Sequence, residues 1–103
     1  MQPKAYVYTE LQLSVPFEDA PWRDLNPELK KQPGFINKTW LSGVTTNTVG
    51  GFYAFDSVNN AEAFVTGYFP KEAAKFGVAH MTRVFDASIV EQASRELASP
   101  HYT

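Results

Sequence analysis

Residues 35–56, FINKTWLSGVTTNTVGGFYAFD, pass from one alternating segment to a second through a run of small polar residues. Phe35 to Ser42 reads as a strand, Gly43 to Thr48 as a polar hairpin connection, and Val49 to Asp56 as the next strand. Both strands carry large aromatic or cationic side chains, and a helical pattern follows at once. A hairpin running into a helix, in a chain of 103 residues, points to one small α+β domain over residues 1–103 whose sheet displays the functional groups.

The flanking segments complete the pattern. Over residues 4–13, Ala5, Val7, Thr9, Leu11 and Leu13 alternate with Tyr6, Tyr8, Glu10 and Gln12, which is a strand period. Residues 14–21 are a breaker-rich loop in which Asp19 or Ala20 caps a helix with Pro21 at its first position. Trp22, Leu25 and Leu29 share a helical face, but Pro27 disfavours helix at the residue before it. The segment therefore reads as two short turns, the second capped by Asn26. Asp56 or Ser57 caps the next helix, whose stripe is Ala61, Phe64, Val65 and Tyr68; Pro70 interrupts it and Gly77 ends it. Val78 to Phe85 is a fourth strand. Ser88-Ile-Val-Glu91 is a capping-box pattern opening a last amphipathic helix over about residues 88–98, with Val90, Ala93, Ser94 and Leu97 on one side. Residues 99–103 read as frayed.

The order βαββαβ plus a C-terminal helix is the ferredoxin-like, split βαβ motif with a four-stranded antiparallel sheet. Right-handed crossovers place both helices on one sheet face. The other face, if aromatic, needs a partner. Two such sheets facing each other form a dimeric α+β barrel, so a homodimer is expected. The Gly50-Gly51 pair suggests a bulge or a close backbone approach, and a bulge there inverts the faces beyond it.

Composition excludes several functions. Formal net charge is −2 with no basic block, which argues against nucleic acid. Cysteine is absent and the two histidines are isolated, so neither thiol chemistry nor a zinc spacing is available. No apolar run is long enough for a membrane span and no signal-peptide core is present, so a soluble cytoplasmic protein is the expectation. No Gly-rich loop follows a strand in a nucleotide-binding pattern.

The stretches Pro16-Phe17-x-Asp19, Gln32-Pro33-Gly34-Phe35, Lys38-x-Trp40, Gly50-Gly51-x-Tyr53-x-Phe55 and Gly77-Val78 through Val84-Phe85-Asp86 resemble the YdhR-like monooxygenase family. The likeness runs from about residue 5 to residue 90, with a first helix about one turn shorter here. It implies the dimeric α+β barrel and, by analogy with small cofactor-free oxygenases of polyketide phenols, oxidation of a small planar aromatic substrate with no cofactor. Haem-degrading proteins of the same fold use a histidine on the second helix; residues 59–69 contain none.

The candidate catalytic residues are His80, Tyr53 and Trp40. His80 is a natural base because its ordinary pKa lies near neutrality; the bland alternative is a locally bonded strand histidine. Tyr53 donates or accepts a proton, and Trp40 offers a flat wall and a lone N–H donor, or else simply packs. Candidate substrate-binding residues are Lys38, Tyr6, Tyr8, Asn37 and Arg83. Lys38 shares a strand face with Trp40, and a buried lysine demands a partner. Tyr6 and Tyr8 fit structural packing as well as a pocket, and Asn37 fits a satisfied sheet residue. Arg83 lies opposite His80 on a regular strand and pairs with Glu10 or with an anionic substrate. His101 falls in the tail and reads as solvated. The resulting expectation is that His80 or Tyr53 removes a proton inside the barrel, Lys38 or Arg83 stabilises the oxyanion, and the phenolate or enolate reacts with dioxygen. The alternatives are an isomerase, cyclase or lyase using the same groups, and a dimeric binding or stress-associated module without catalysis.

Overall fold

The computed structural model describes residues 2–13 and 22–102. The loop over residues 14–21, its helix cap and the Pro16-Phe17-x-Asp19 stretch lie outside the described residues. The elements are β1 (Ala5–Gln12), α1 (Trp22–Lys30), β2 (Phe35–Ser42), β3 (Thr48–Phe55), α2 (Val58–Ala63), α3 (Phe69–Phe76), β4 (His80–Asp86) and α4 (Glu91–Glu96). The strands form one antiparallel sheet in the order β2-β3-β1-β4. That order is the split βαβ arrangement.

The odd-numbered residues of β1 build the core. Ala5, Val7 and Leu11 pack with Val49, Tyr53 and Phe55 of β3, Leu29 of α1, and Ala61, Phe64, Phe69 and Ala73 of the second helical layer. Both crossovers thus cover the same sheet face, as their handedness requires. Burying each of Leu29, Phe64 and Phe69 contributes about 1.5–3 kcal/mol.

Ser57 caps α2 by accepting from the Asn60 N–H at 3.0 Å, while Asp56 Oδ1 accepts from Asn60 Nδ2 at 2.8 Å. Pro70 does not interrupt the helix. A π-helical turn over Phe64–Tyr68 joins α2 to α3, and the Phe69 N–H bonds back five residues to the Phe64 carbonyl. The wide turn passes smoothly into a proline, whose missing N–H has no bond to lose at the start of α3. Gly77, at φ 63°, closes α3 in the left-handed conformation.

The first helix departs from expectation. α1 is one nine-residue helix running through Pro27, not two turns, and Asn26 serves elsewhere than at a cap. The strand faces also differ at one place. Gly50 and Gly51 pair in regular register with β1 and β2, and the irregularity falls on β2 between Phe35 and Asn37. Phe35 therefore turns to the helix side, edge-on to Phe55 at 6.1 Å, instead of sharing a face with Asn37. The glycines serve close approach: a Cβ at Gly50 would strike the Thr9 carbonyl, and one at Gly51 would strike Lys38 Cε.

The C-terminal expectations are overturned. No capping box forms before α4; Asp86 Oδ1 instead accepts from the Ser88 N–H and hydroxyl and the Ile89 N–H. None of the residues of α4 is buried, and Val90 and Leu97 are exposed. The tail is anchored rather than frayed. The Tyr102 hydroxyl donates to the Ala87 carbonyl at 2.6 Å, and the His101 ring lies 4.9 Å from Phe52 and 5.6 Å from Tyr6.

Candidate functional site

Lys38 is directly opposite Tyr53 across the β2–β3 ladder, and Trp40 is opposite Gly51. Because Gly51 has no side chain, the lysine stem lies across the sheet, under the helices. Its amine sits 3.1 Å from the centre of the Trp40 ring and 4.6 Å from that of Tyr53. Among the described residues, no carboxylate is within ion-pair distance of it. Burial pushes the Lys38 amine down to about 7. The two ring faces favour the ammonium and oppose that drop in part. Burial thus loosens the hold of Lys38 on its proton relative to an exposed lysine.

The other polar groups on this face behave differently. Thr9, buried in β1, donates its hydroxyl to Tyr53 Oη at 3.3 Å. Burial raises the Tyr53 phenol well above its ordinary value, against the opposing pull of that hydrogen bond. Tyr68, held by the π-helical turn, has a buried hydroxyl with no hydrogen-bond partner among the described residues. Burial, with the negative charges of Glu72 and Glu28 behind it, pushes its phenol up to about 12. Both tyrosines are therefore proton holders at neutral pH. Burial thus works in opposite senses on the two groups: it keeps the proton on the Tyr53 phenol and loosens it from the Lys38 amine.

Two spaces meet at Lys38 and Trp40. Between sheet and helices lies a pocket of about 40 Å³, lined by Leu25, Val49, Tyr53, Tyr68, Phe69 and Phe76 besides that pair. Its walls are apolar, and it has room for a molecule the size of water or dioxygen but not for an aromatic ring. Outside, between α1 and β2, runs a groove of about 450 Å³ lined by Asn26, Lys30, Ile36 and Asn37 together with Lys38 and Trp40. It is large enough for a small planar molecule.

The indole N–H of Trp40 is committed. It donates to Asn26 Oδ1 at 2.9 Å, tying α1 to β2. The N–H expected to meet a substrate oxygen thus makes a structural hydrogen bond, and the ring carries the Lys38 amine over its face.

The remaining candidates lie elsewhere. His80 is on β4, at the opposite edge of the sheet from β2, exposed and edge-on to Phe69 at 5.6 Å. It lines a separate shallow hollow with Glu10 and Met81 and does not reach Lys38 or Trp40. Tyr6, Tyr8 and Arg83 belong to the sheet face away from the helices; Tyr6 is paired with Phe85 and Tyr8 with Arg83. Among the described residues, no ion pair joins Arg83 to Glu10. Asn37 is exposed on β2 and touches only the outer groove. The chamber expected between two sheets is therefore not where Trp40, Tyr53 and Lys38 meet; they meet beneath the helices of one protomer.

Asn26, Thr9, Tyr68 and Gly51 were not among the candidates. Thr9 was visible as the one polar residue of the aliphatic face of β1, and Gly51 as a glycine inside a strand. For Asn26 and Tyr68 the sequence offers only polar tips at helical spacing.

Among the described residues, no helix is long and apolar enough to cross a membrane. A family model described as "Putative mono-oxygenase ydhR" matches residues 10–96. Among curated proteins, none matches the chain.

Proposed function

The chain belongs to the YdhR mono-oxygenase family, and from that premise we propose a cofactor-independent monooxygenase of small planar phenolic or polyketide-like molecules, with Lys38 as its base. One observation carries this: an amine that titrates near neutrality, pressed between the Trp40 and Tyr53 rings where an apolar pocket meets an open groove. The substrate ring lies in the groove against Trp40. The neutral Lys38 amine takes a proton from an activated CH₂ flanked by aromatic or carbonyl groups. The carbanion passes its electrons to dioxygen held in the small pocket, giving a peroxide on carbon. Loss of water turns that carbon into a ketone, so CH₂ and O₂ become C=O and H₂O. The substrate supplies all the electrons, and no external reductant is needed. The protonated Lys38 and the phenol of Tyr68 stabilise the developing oxyanion. His80 has no part in the sequence of steps.

The homodimer belongs to the same proposal. Tyr8 and Phe85 keep the part of this sheet face that the tail leaves open aromatic, with Phe85 45% exposed, and a second copy is the natural cover. Incubation with an anthrone-type substrate should consume oxygen and yield ketone under air, and no product under nitrogen. Equal turnover in both atmospheres would reject the oxygenase and leave an isomerase, cyclase or lyase working through the same amine.

A further inference from the structure

Lys38 has a second chemistry open to it that uses no oxygen. We propose that Lys38 condenses with planar aromatic aldehydes and ketones to form a Schiff base, making the groove between α1 and β2 a carbonyl-capture site. The proposal shares with the oxygenase only an amine that is free of its proton.

Three features support it. The amine has aromatic faces at 3.1 and 4.6 Å and, among the described residues, no carboxylate to hold it charged. Lys38 lines both the small apolar pocket and a groove of about 450 Å³, which has room for a planar carbonyl compound beside it. The Tyr68 hydroxyl, which among the described residues has no hydrogen-bond partner, lines the small apolar pocket that Lys38 also lines and stays protonated. A lysine desolvated in an apolar setting is the form that reacts with carbonyls.

The bonds balance. The nitrogen lone pair forms a C–N bond as the carbonyl π pair moves to oxygen. A proton passes from nitrogen to that oxygen, giving a carbinolamine. Loss of water leaves the imine. With an amine near pH 7 about half of Lys38 is neutral there, against roughly one part in 2,500 for an exposed lysine of ordinary pKa.

The full chain is incubated under nitrogen with benzaldehyde and cyanoborohydride at pH 7, and labelling is read peptide by peptide by mass spectrometry. Lys38 should gain the benzyl mass at least ~10-fold faster than Lys4 or Lys71, with a rate that rises through about pH 7. Gly51→Ala supplies the second arm: its new methyl displaces the flexible end of Lys38 and should erase that selectivity while the circular dichroism stays native. Labelling of Lys38 no faster than of the surface lysines, or selectivity unchanged in G51A, would overturn the proposal. Selective labelling without oxygen uptake in the earlier assay would uphold it while removing the oxygenase.

Discussion

The two faces of the sheet are both aromatic, yet they do opposite things with their polar groups. Under the helices, Lys38 is wedged against Trp40 and Tyr53, and Tyr68 keeps a hydroxyl with nothing to bond. On the open face, Arg83 and Glu10 stand at the surface, and the tail lays His101 and Tyr102 over Tyr6 and Phe52. The covered face holds a charge-bearing group where water is scarce, so its proton affinity moves toward neutrality. The open face leaves its charges solvated and its rings half-covered, which suits association and gives no reason for a shifted base. On the proposed reading, reactivity and assembly are divided between the two sides of one four-stranded layer.

The sharpest way to break this division is Lys38→Met. It should lower kcat/KM for oxygen consumption by roughly 10²–10⁴-fold, the range for loss of a general base. The same change should raise Tm at pH 7 by about 5 °C or more, because it removes a desolvated amine and keeps an apolar stem. A fall in both activity and Tm would mean that Lys38 is held by an interaction that stabilises the fold. In the unmodified protein, kcat/KM should climb through about pH 7 and level off above it, since only the neutral amine accepts a proton. The sign for stability follows from the depressed folded pKa. Between about 7 and the ordinary lysine value, the unfolded chain binds more protons than the folded one. Stability is therefore greatest above the ordinary value and is lost as pH falls toward 7. Denaturation at a series of pH values should show that slope in the wild type and not in K38M.

Phe85→Glu addresses the open face. It should weaken the proposed dimer by about 100-fold or more in Kd, read by sedimentation, as loss of a central aromatic contact does. The amine's titration should be unaffected in the same variant, because Lys38 lies on the other side of the sheet. Asn26→Leu is smaller: it strips the Trp40 N–H of its 2.9 Å acceptor and should cost about 1–3 kcal/mol in denaturant unfolding. The smallest effect is expected from His80→Ala, which should change kcat/KM less than about twofold on the scale where a working base is worth at least a hundredfold. A hundredfold loss there would restore the histidine as base.

Much of the fold was legible without coordinates. The period of residues 5–12, the paired strands of residues 35–56 and the stripe from Ala61 to Tyr68 each appear as read, because alternation and helical spacing are local consequences of burying one side. The errors also share a cause. Pro27 and Pro70 were taken as breaks, but a short exposed helix tolerates the first and a π-helical turn absorbs the second. The irregularity in β2 was placed at the glycines, although what those glycines do is admit the Thr9 backbone and the Lys38 stem. Lys38, Trp40 and Tyr53 do lie side by side, since pairing across a hairpin is near in sequence. His80 was added to them on chemical grounds alone, and sheet order put it at the far edge.

The order of strands and helices, the alternation along each strand and the shared face of Lys38 and Trp40 follow from the sequence, because each depends on short-range periodicity. That the helices roof the face carrying Lys38, Trp40 and Tyr53, that burial lowers the proton affinity of Lys38, and that His80 lies at the far edge of the sheet emerge only in three dimensions. Burial and proton affinity depend on neighbours drawn from α1, the π-helical turn and β1, and no stretch of chain carries that information by itself.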